Sequence, residues 1–228
     1  MRFRPAGNPD NAWPNKHTLY IAASGGGKSQ CLLQNPAIPK RGVPVIMWDH
    51  KPDHPGLHIR DRRQFVQYLR RGIERHQKTG AGFRIAFAGD RTIANFEWWC
   101  EVVWAVLDSR RRTYVIVEEL AAVSPSPAKA TPAAGILIRE GRGYGMVFHG
   151  TTQRPQEVAK TFYENCDIRF YGRVRNAKLR KAWADEMDID QARLRALENL
   201  QFLHDDGSAS PPKQINLKYR EPKGITWL

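Results

Sequence analysis

The stretch that decides the fold is LYIAASGGGKSQCLL, residues 19–33. A short apolar run leads to a serine, three glycines, a lysine and a second serine, and the chain then becomes apolar again. This order matches the phosphate-loop pattern G-x-x-x-x-G-K-[ST], except that Ala22 stands at the first glycine position. That glycine is the least demanding one, because phosphates bind N–H groups in the middle of the loop and at the following helix start. The stretch therefore predicts a nucleotide-binding loop between a strand and a helix.

The predicted nucleotide-binding residues form one continuous segment: Ser24, Gly25, Gly26, Gly27, Lys28 and Ser29. The glycines supply the backbone freedom of the loop. The ammonium of Lys28 is expected to reach the β- and γ-phosphates, and the hydroxyl of Ser29 is expected to bind Mg²⁺. The alternative is a flexible glycine turn that happens to end in Lys-Ser. The preceding apolar strand and the following helix favour the phosphate loop, with ATP and Mg²⁺ as cofactors.

Apolar runs of strand length alternate with helical stretches along the first three quarters of the chain. The runs are TLYIAA (18–23), VPVIMWD (43–49), RIAFA (84–88), TYVIVEE (113–119) and MVFHGTT (146–152). They are continuous and mostly β-branched or aromatic, as a sheet covered by helices on both faces requires. The alternation predicts a three-layer α/β fold with a mostly parallel central sheet.

The length of 228 residues fits one domain. We divide it into an N-terminal extension (1–16), a core (17–175) and a C-terminal part (176–228). The C-terminal part is expected to contain two short helices, NAKLRKAWADEM and DQARLRALENL, and an edge hairpin formed by QFLHDD and INLKYR. We expect the last few residues to be mobile unless other contacts hold them.

Two acidic residues follow the run at 113–117. In open α/β sheets the ends of strands lie next to the ligand, so Glu118 and Glu119 are expected to face the phosphates. Glu118 is predicted to bind Mg²⁺, mostly through water, and Glu119 to polarise the attacking water. The two roles can be exchanged between these neighbours on sequence alone. The alternative is a solvent-facing helix start that carries two acids.

Charge is the most informative bulk property. Lys and Arg number 36 against 23 Asp and Glu, which gives a net charge of +13. Such a charge attracts polyanions, with nucleic acid the first candidate. The three cysteines show no paired spacing, which argues against a disulfide framework or structural zinc. No segment approaches the roughly 18 apolar residues of a membrane span, so no direct membrane span is expected.

The block LIREGRGYGMVFHGTTQRPQEVAKTFYENCDIRFYGRV, residues 137–174, decides the class of protein, and residues 141–169 are its most specific part. Its strand ends in TTQRP, which places Gln153 beside the expected γ-phosphate as a candidate sensor of hydrolysis. The phosphate loop, the acidic strand end and this block together resemble the FtsK/HerA superfamily of DNA-pumping ATPases. The resemblance covers residues 18–175.

The resemblance implies a RecA-like fold that works in a ring, expected to be a hexamer or pentamer, with ATP at subunit interfaces. It also implies an arginine that completes the site of the neighbouring subunit. Arg142 matches the family arginine by position and is the first choice for this role, with Arg139 as the reserve. The alternative for Arg142 is a solvated cation at a helix end.

The short basic chain is most similar to the genome-packaging ATPases of tectivirus-like viruses with internal membranes. That similarity implies a double-stranded DNA translocase that fills a preformed capsid. It also implies capsid vertex proteins as partners and a location in the host cytoplasm and at a virion vertex. The alternatives are an assembly or secretion ATPase of the filamentous-phage type and a non-motor P-loop enzyme.

A further group of polar residues follows the second predicted strand. Asp49, His50, Asp53, His54 and His58 are the residue types of a metal site, but Pro52 and Pro55 predict an irregular loop, in which helical ligand spacing is improbable. We therefore do not predict a metal site there. In the resembled family, Asp49 and Lys51 correspond to groups near the nucleotide or at the subunit interface.

Overall fold

The computed structural model describes residues 4–228, and ten strands form a single sheet in this part of the chain. The strands are β1 (Thr18–Ile21), β2 (Pro44–Trp48), β3 (Gly56–Ile59), β4 (Phe83–Phe87), β5 (Thr113–Val117), β6 (Met146–Thr152), β7 (Ile168–Gly172), β8 (Gln201–Asp205), β9 (Lys213–Asn216) and β10 (Ile225–Trp227). Their spatial order is β10-β3-β4-β2-β5-β6-β1-β7-β8-β9. Only β8 and β9 pair antiparallel with their neighbours. The predicted α/β fold with a mostly parallel sheet is confirmed.

Seven α-helices connect these strands. They are α1 (Lys28–Gln34), α2 (Arg62–Thr79), α3 (Ile93–Val106), α4 (Pro132–Glu140), α5 (Lys160–Asn165), α6 (Ala177–Glu186) and α7 (Gln191–Arg195). The side chains of Asp61 and Thr92 accept hydrogen bonds from backbone N–H groups in the first turns of α2 and α3. Gly80, in the left-handed conformation, ends α2. The longer helices therefore start and stop where the local sequence satisfies their free backbone groups.

The two faces of the sheet are covered unequally. One apolar cluster joins Leu19 and Val117 to buried side chains of α2 to α7, such as Trp99 and Trp183. The cluster on the other face is smaller, and among the helices only α1 contributes buried side chains to it. Alternate residues of each strand feed the two clusters, which is why the strands read as continuous apolar runs.

The sheet extends further than the sequence pattern indicated. β3 lies within the segment that its prolines marked as irregular, and the C-terminal residues form β10, which pairs in parallel with β3. The main chain therefore holds the C-terminal residues, which we expected to be mobile without such contacts. The predicted hairpin is present, but its second strand is residues 213–216 and not 215–220.

Residues 4–16 lie across the edge at which the parallel strands begin, which we call the amino edge. Ala6 bonds to the backbone at Leu107 and Ser109, and the indole of Trp13 donates to the Ser109 carbonyl at 2.8 Å. The opposite edge, where the parallel strands end, we call the carboxyl edge. In the described residues, no helix combines the length and the apolar character needed to cross a membrane.

Candidate nucleotide-binding site

The glycine loop lies at the carboxyl edge, between the end of β1 and the start of α1. Gly25 and Gly27 have φ angles of 74° and 96°, which residues with a side chain rarely adopt. Neither N–H group donates to a backbone acceptor within residues 4–228. The sequence thus produces a turn with free amide donors, as binding of phosphate oxygens requires.

Ala22 is tolerated at the first position of the motif because of its neighbour on β7. Ala22 is buried and does not have a positive φ angle. A Cβ atom added to Gly172 would lie only 2.8 Å from the Cβ of Ala22. The absence of a side chain at Gly172 therefore makes room for the methyl group, and the loop does not need glycine at position 22.

Strand order brings the acidic residues close to the loop. β6 lies between β1 and β5, so the ends of these three strands are neighbours at the carboxyl edge. Glu118 accepts a hydrogen bond from the Thr151 hydroxyl at 2.6 Å, and its other oxygen lies 2.5 Å from Nε2 of His54. Burial raises the pKa of Glu118, but the hydrogen bond and charge of His54 outweigh burial and bring that pKa below its ordinary value.

Glu119 differs from its neighbour Glu118 in backbone conformation and in its contacts. Its φ angle is 60°, a left-handed conformation that is uncommon for a residue with a side chain. Its carboxylate accepts hydrogen bonds from the backbone N–H of Gln153 at 3.2 Å and from the Thr152 hydroxyl at 3.4 Å. A small pocket of about 270 Å³ holds Glu119 together with Gln153, Arg91 and Arg154. The two acids therefore occupy different environments, as distinct roles require.

The sequence analysis missed two residues of this site, Asp53 and His54. The Ser29 hydroxyl donates to Asp53 at 3.3 Å, and His54 is fully buried against Glu118. Burial raises the pKa of Asp53, and the nearby Glu118 and Asp49 carboxylates raise it further. The usable signal was that both residues follow β2, but only the strand order shows that β2 borders β5.

Two of the other polar residues that follow β2 bond to each other. Asp49 and His58 are both fully buried and bond to each other at 3.0 Å. Burial lowers the pKa of His54, but the hydrogen bond that its Nε2 donates to Glu118 and the charges of the surrounding carboxylates outweigh burial and raise it. Lys51 is exposed. Within this group, His54 is the residue that hydrogen-bonds to Glu118.

The residues present fit a magnesium ion bound together with phosphates. In the described residues, no three His, Cys, Asp or Glu side chains form a complete ligand set of their own. Mg²⁺ prefers oxygen ligands and is usually held by one or two protein groups plus substrate phosphates. The Ser29 hydroxyl and the carboxylates of Asp53 and Glu118 are oxygen donors of this kind.

A pocket of about 400 Å³ opens beside the loop. Lys28 and Ser29 line one side of it, together with Gly25, Gly27 and Asp53. Its remaining walls come from the C-terminal part of the chain. The volume suits a small organic ligand, because such sites are typically about 300–1,000 Å³. Of the predicted loop residues, Ser24 is exposed and Gly26 is buried in the turn.

The two candidate arginines lie away from this pocket, towards the amino edge. Arg142 precedes β6, and its Nη1 donates to the carbonyls of Asn11 at 3.2 Å and Trp13 at 2.6 Å. Arg139, in the last turn of α4, is exposed. Neither guanidinium is part of its own subunit's pocket.

No known family profile matches the chain, but individual relatives do. Protein P9 of Pseudoalteromonas phage PM2 is 34% identical over 192 residues, which cover 84% of each protein. Among solved structures, the genome packaging NTPase B204 of Sulfolobus turreted icosahedral virus 2, in complex with AMPPCP, superposes with a TM-score of 0.65. It is 15% identical, and the match covers 90% of this chain and all of B204.

VirB4 of Thermoanaerobacter pseudethanolicus also has this fold, with a TM-score of 0.62 and 13% identity. That match covers 96% of this chain and 98% of VirB4. Identities this low establish a shared fold, whereas the phage relative establishes kinship. The chain belongs to the family of protein P9 of phage PM2, and it shares its fold with the packaging NTPase B204 and with VirB4.

Proposed function

We propose that this protein hydrolyses ATP to move double-stranded DNA into a preformed viral capsid. The observation that carries the proposal is the convergence of three strand ends at one place. Lys28 and Ser29 follow β1, Glu118 and Glu119 follow β5, and Gln153 follows the strand between them. A phosphate-binding loop, two acids and a polar amide at neighbouring strand ends are the parts that ATP hydrolysis needs.

Each predicted residue has a part in this reaction. Free N–H groups of the loop bind the phosphates, and the ammonium of Lys28 stabilises their negative charge. Ser29 and Glu118 hold Mg²⁺, which neutralises charge on the phosphates when it is bound. Glu119 polarises the attacking water, and Gln153, one residue beyond β6, senses whether the γ-phosphate is present.

Relatives support a packaging role. The solved structure with the same fold, B204, is described as a genome packaging NTPase of an icosahedral virus, and the 34% identical relative belongs to a phage. An assembly ATPase of the filamentous-phage type and a non-motor enzyme are the competing functions. Neither of them requires the chain to bind DNA.

Double-stranded DNA is the partner that the charge favours. The net charge is +13, and α2 presents a series of exposed basic side chains: Arg62, Arg63, Arg70, Arg71, Arg75 and Lys78. Contacts between such groups and phosphates do not depend on base sequence. This property suits an enzyme that must move an entire genome.

The proposal includes an assembly. Arg142 would reach the ATP of an adjacent subunit in a homo-oligomeric ring, a hexamer or pentamer, that docks on capsid vertex proteins. The ring would work in the host cytoplasm and at a virion vertex. The distance of Arg142 from its own subunit's pocket supports action between subunits.

The test is ATP turnover with and without linear duplex DNA at low salt. We expect DNA to increase turnover, and we expect this increase to fall as salt rises, because bound cations are released from DNA on binding. Lys28→Ala should abolish turnover under all conditions. Lys40→Ala removes an exposed lysine that does not line the pocket and serves as the matched control, with turnover unchanged.

Two results would contradict the proposal in different ways. Turnover that requires Lys28 but ignores DNA at every salt concentration would favour the assembly or non-motor function. Turnover that survives Lys28→Ala would show that the glycine loop is not the ATP site.

A further inference from the structure

The segment between β9 and β10, residues 217–224, crosses the face of the sheet that carries α1; we call it the strap. β9 and β10 are at opposite edges of the ten-stranded sheet, so the strap spans the molecule next to the glycine loop. The Gln30 amide donates to the Arg220 carbonyl at 2.8 Å and accepts from the Arg220 N–H at 2.8 Å. The Gln34 amide donates to the Lys218 carbonyl at 2.9 Å.

These bonds fix the strap relative to the loop. Gln30 is mostly buried and lies two residues after Lys28 on the same helix. The residues on both sides of Tyr219 are therefore tied through their backbones to α1. Because the backbone is held on both sides, the position of the Tyr219 Cα and Cβ atoms relative to α1 is fixed.

Tyr219 lines the pocket of the glycine loop while remaining 69% exposed. Pro222 lines the same side, and Asn199 and Leu200 form the remaining wall. Few large apolar side chains in the described residues are this exposed. An exposed aromatic ring on an anchored backbone, at the rim of a nucleotide pocket, has a flat surface on which a base can stack.

The opposite wall is fixed as well. The Leu200 N–H donates to the Gly26 carbonyl at 3.1 Å, and a Cβ atom added to Gly27 would lie 2.6 Å from the Leu200 side chain. The side-chain oxygen Oδ1 of Asn199 accepts a hydrogen bond from Arg173 at 3.1 Å, which leaves the side-chain NH₂ group of Asn199 available to a ligand. The pocket thus has a polar phosphate end and a partly apolar end.

We propose that the strap forms the base subsite of the nucleotide, with the purine ring of ATP stacked on Tyr219 and bordered by Pro222. This inference rests on the proposed binding of ATP at the glycine loop. With the phosphates at Lys28 and Ser29, the nucleoside must extend along the pocket, and the walls that remain are the strap and the Asn199–Leu200 turn.

The test compares a ligand that has a base with one that lacks it. Calorimetry measures the affinity for ATP and for inorganic tripolyphosphate, both with Mg²⁺. Tyr219→Ala should weaken ATP binding about tenfold, because a base stacked on an aromatic side chain loses that contact on alanine substitution. Tripolyphosphate affinity should be unchanged. Tyr219→Phe keeps the ring and should bind ATP as the wild type does.

Lys218→Ala, which removes the adjacent exposed side chain of the strap, is the matched control and should change neither affinity. Equal ATP affinity in the wild type and Tyr219→Ala would overturn the base subsite. An equal loss for ATP and tripolyphosphate would also overturn it, since the strap would then act on the phosphate end. If Lys28→Ala left both affinities unchanged, the proposed ATP site itself would fail.

Discussion

The two edges of the sheet use the same kinds of residue for opposite purposes. At the amino edge, several polar groups bond within the chain: Arg142 donates to the carbonyls of Asn11 and Trp13, and Nδ1 of buried His17 accepts from the Phe148 N–H at 3.1 Å. At the carboxyl edge, the N–H groups of Gly25 and Gly27 donate to no backbone acceptor among residues 4–228. Both edges contain glycines, histidines and charged groups.

This difference shows which polar groups are available to bind a ligand. A donor already bonded to its own chain contributes stability, whereas a donor held in place without an acceptor is ready for a ligand. Arg142 combines both properties. Only its Nη1 bonds to residues within 4–228, so the other guanidinium N–H groups can reach a neighbouring molecule in a fixed orientation.

Of the effects compared between the two edges, the largest is expected at Arg142. If Arg142 acts on the ATP of another subunit, the amino edge also takes part in the reaction. Arg142→Ala should lower ATP turnover by about 10³- to 10⁵-fold, as for other arginines that stabilise the transferring phosphate. Mixing this variant with Glu119→Gln subunits should restore part of the turnover. In the mixed assembly, an intact arginine faces an intact Glu119 at some interfaces.

Arg139→Ala is the matched control, because Arg139 is exposed and lies one helical turn before Arg142. Turnover should stay normal in that variant. If mixing restored nothing, Arg142 would have only a structural role at the amino edge. If Arg139→Ala lost turnover and mixing restored it, the two arginines would exchange roles.

A smaller effect is expected at His54, which tests whether buried contacts at the carboxyl edge serve the site. His54 lies 2.5 Å from Glu118 and restricts the direction of that carboxylate. Loss of a residue that orients a metal ligand typically costs about 10- to 100-fold in metal affinity. His54→Ala should therefore raise the Mg²⁺ concentration for half-maximal turnover by at least roughly tenfold, and His54→Gln, which keeps an N–H donor, should recover part of the loss.

The measurement is a Mg²⁺ titration of turnover at saturating ATP. His76→Ala changes a histidine near the end of α2, away from the site, and should leave the titration midpoint unchanged. A lower unfolding temperature with the same Mg²⁺ midpoint would assign His54 to packing alone.

Much of the fold was predictable because continuous apolar strands have a strong local signature. The parallel core and the hairpin follow from runs such as TLYIAA and TYVIVEE, whose residues are buried on both faces. β3 and β10 were not predictable in this way. β10 has three residues, and the two strands form a parallel pair between segments more than 160 residues apart.

The glycine loop could be predicted because one segment carries nearly the whole pattern, with only Ala22 departing from it. His54 and Tyr219 belong to the site only through long-range contacts: His54 through the adjacency of β2 and β5, and Tyr219 through the path of the strap. Local sequence indicated an irregular loop around His54 and a tail around Tyr219. Residues of this kind become visible only when the order of the strands is known.

The smallest expected effect concerns stability and lies at the amino edge. Burial, together with the smaller effects of the Arg142 and Arg112 charges, lowers the pKa of His17 to about 3. Burial also lowers the pKa of His149 to about 3. Both histidines are neutral in the folded protein, but in the unfolded chain they bind protons below their ordinary pKa of 6.5.

Because the unfolded chain then binds more protons, the free energy of unfolding should fall as pH falls from 6.5 towards 3. The loss should be about 2 kcal/mol for each histidine between pH 6.5 and 5, since one pH unit corresponds to about 1.4 kcal/mol. Urea denaturation at a series of pH values measures this loss.

His17→Gln keeps an acceptor for the Phe148 N–H. Its free energy of unfolding should fall less steeply with falling pH than that of the wild type, whereas between pH 7.5 and 8.5 the two proteins should show the same pH dependence. Equal losses down to pH 5 would mean that His17 takes up its proton in the folded state, and the amino edge would then be open to water and not sealed by residues 4–16.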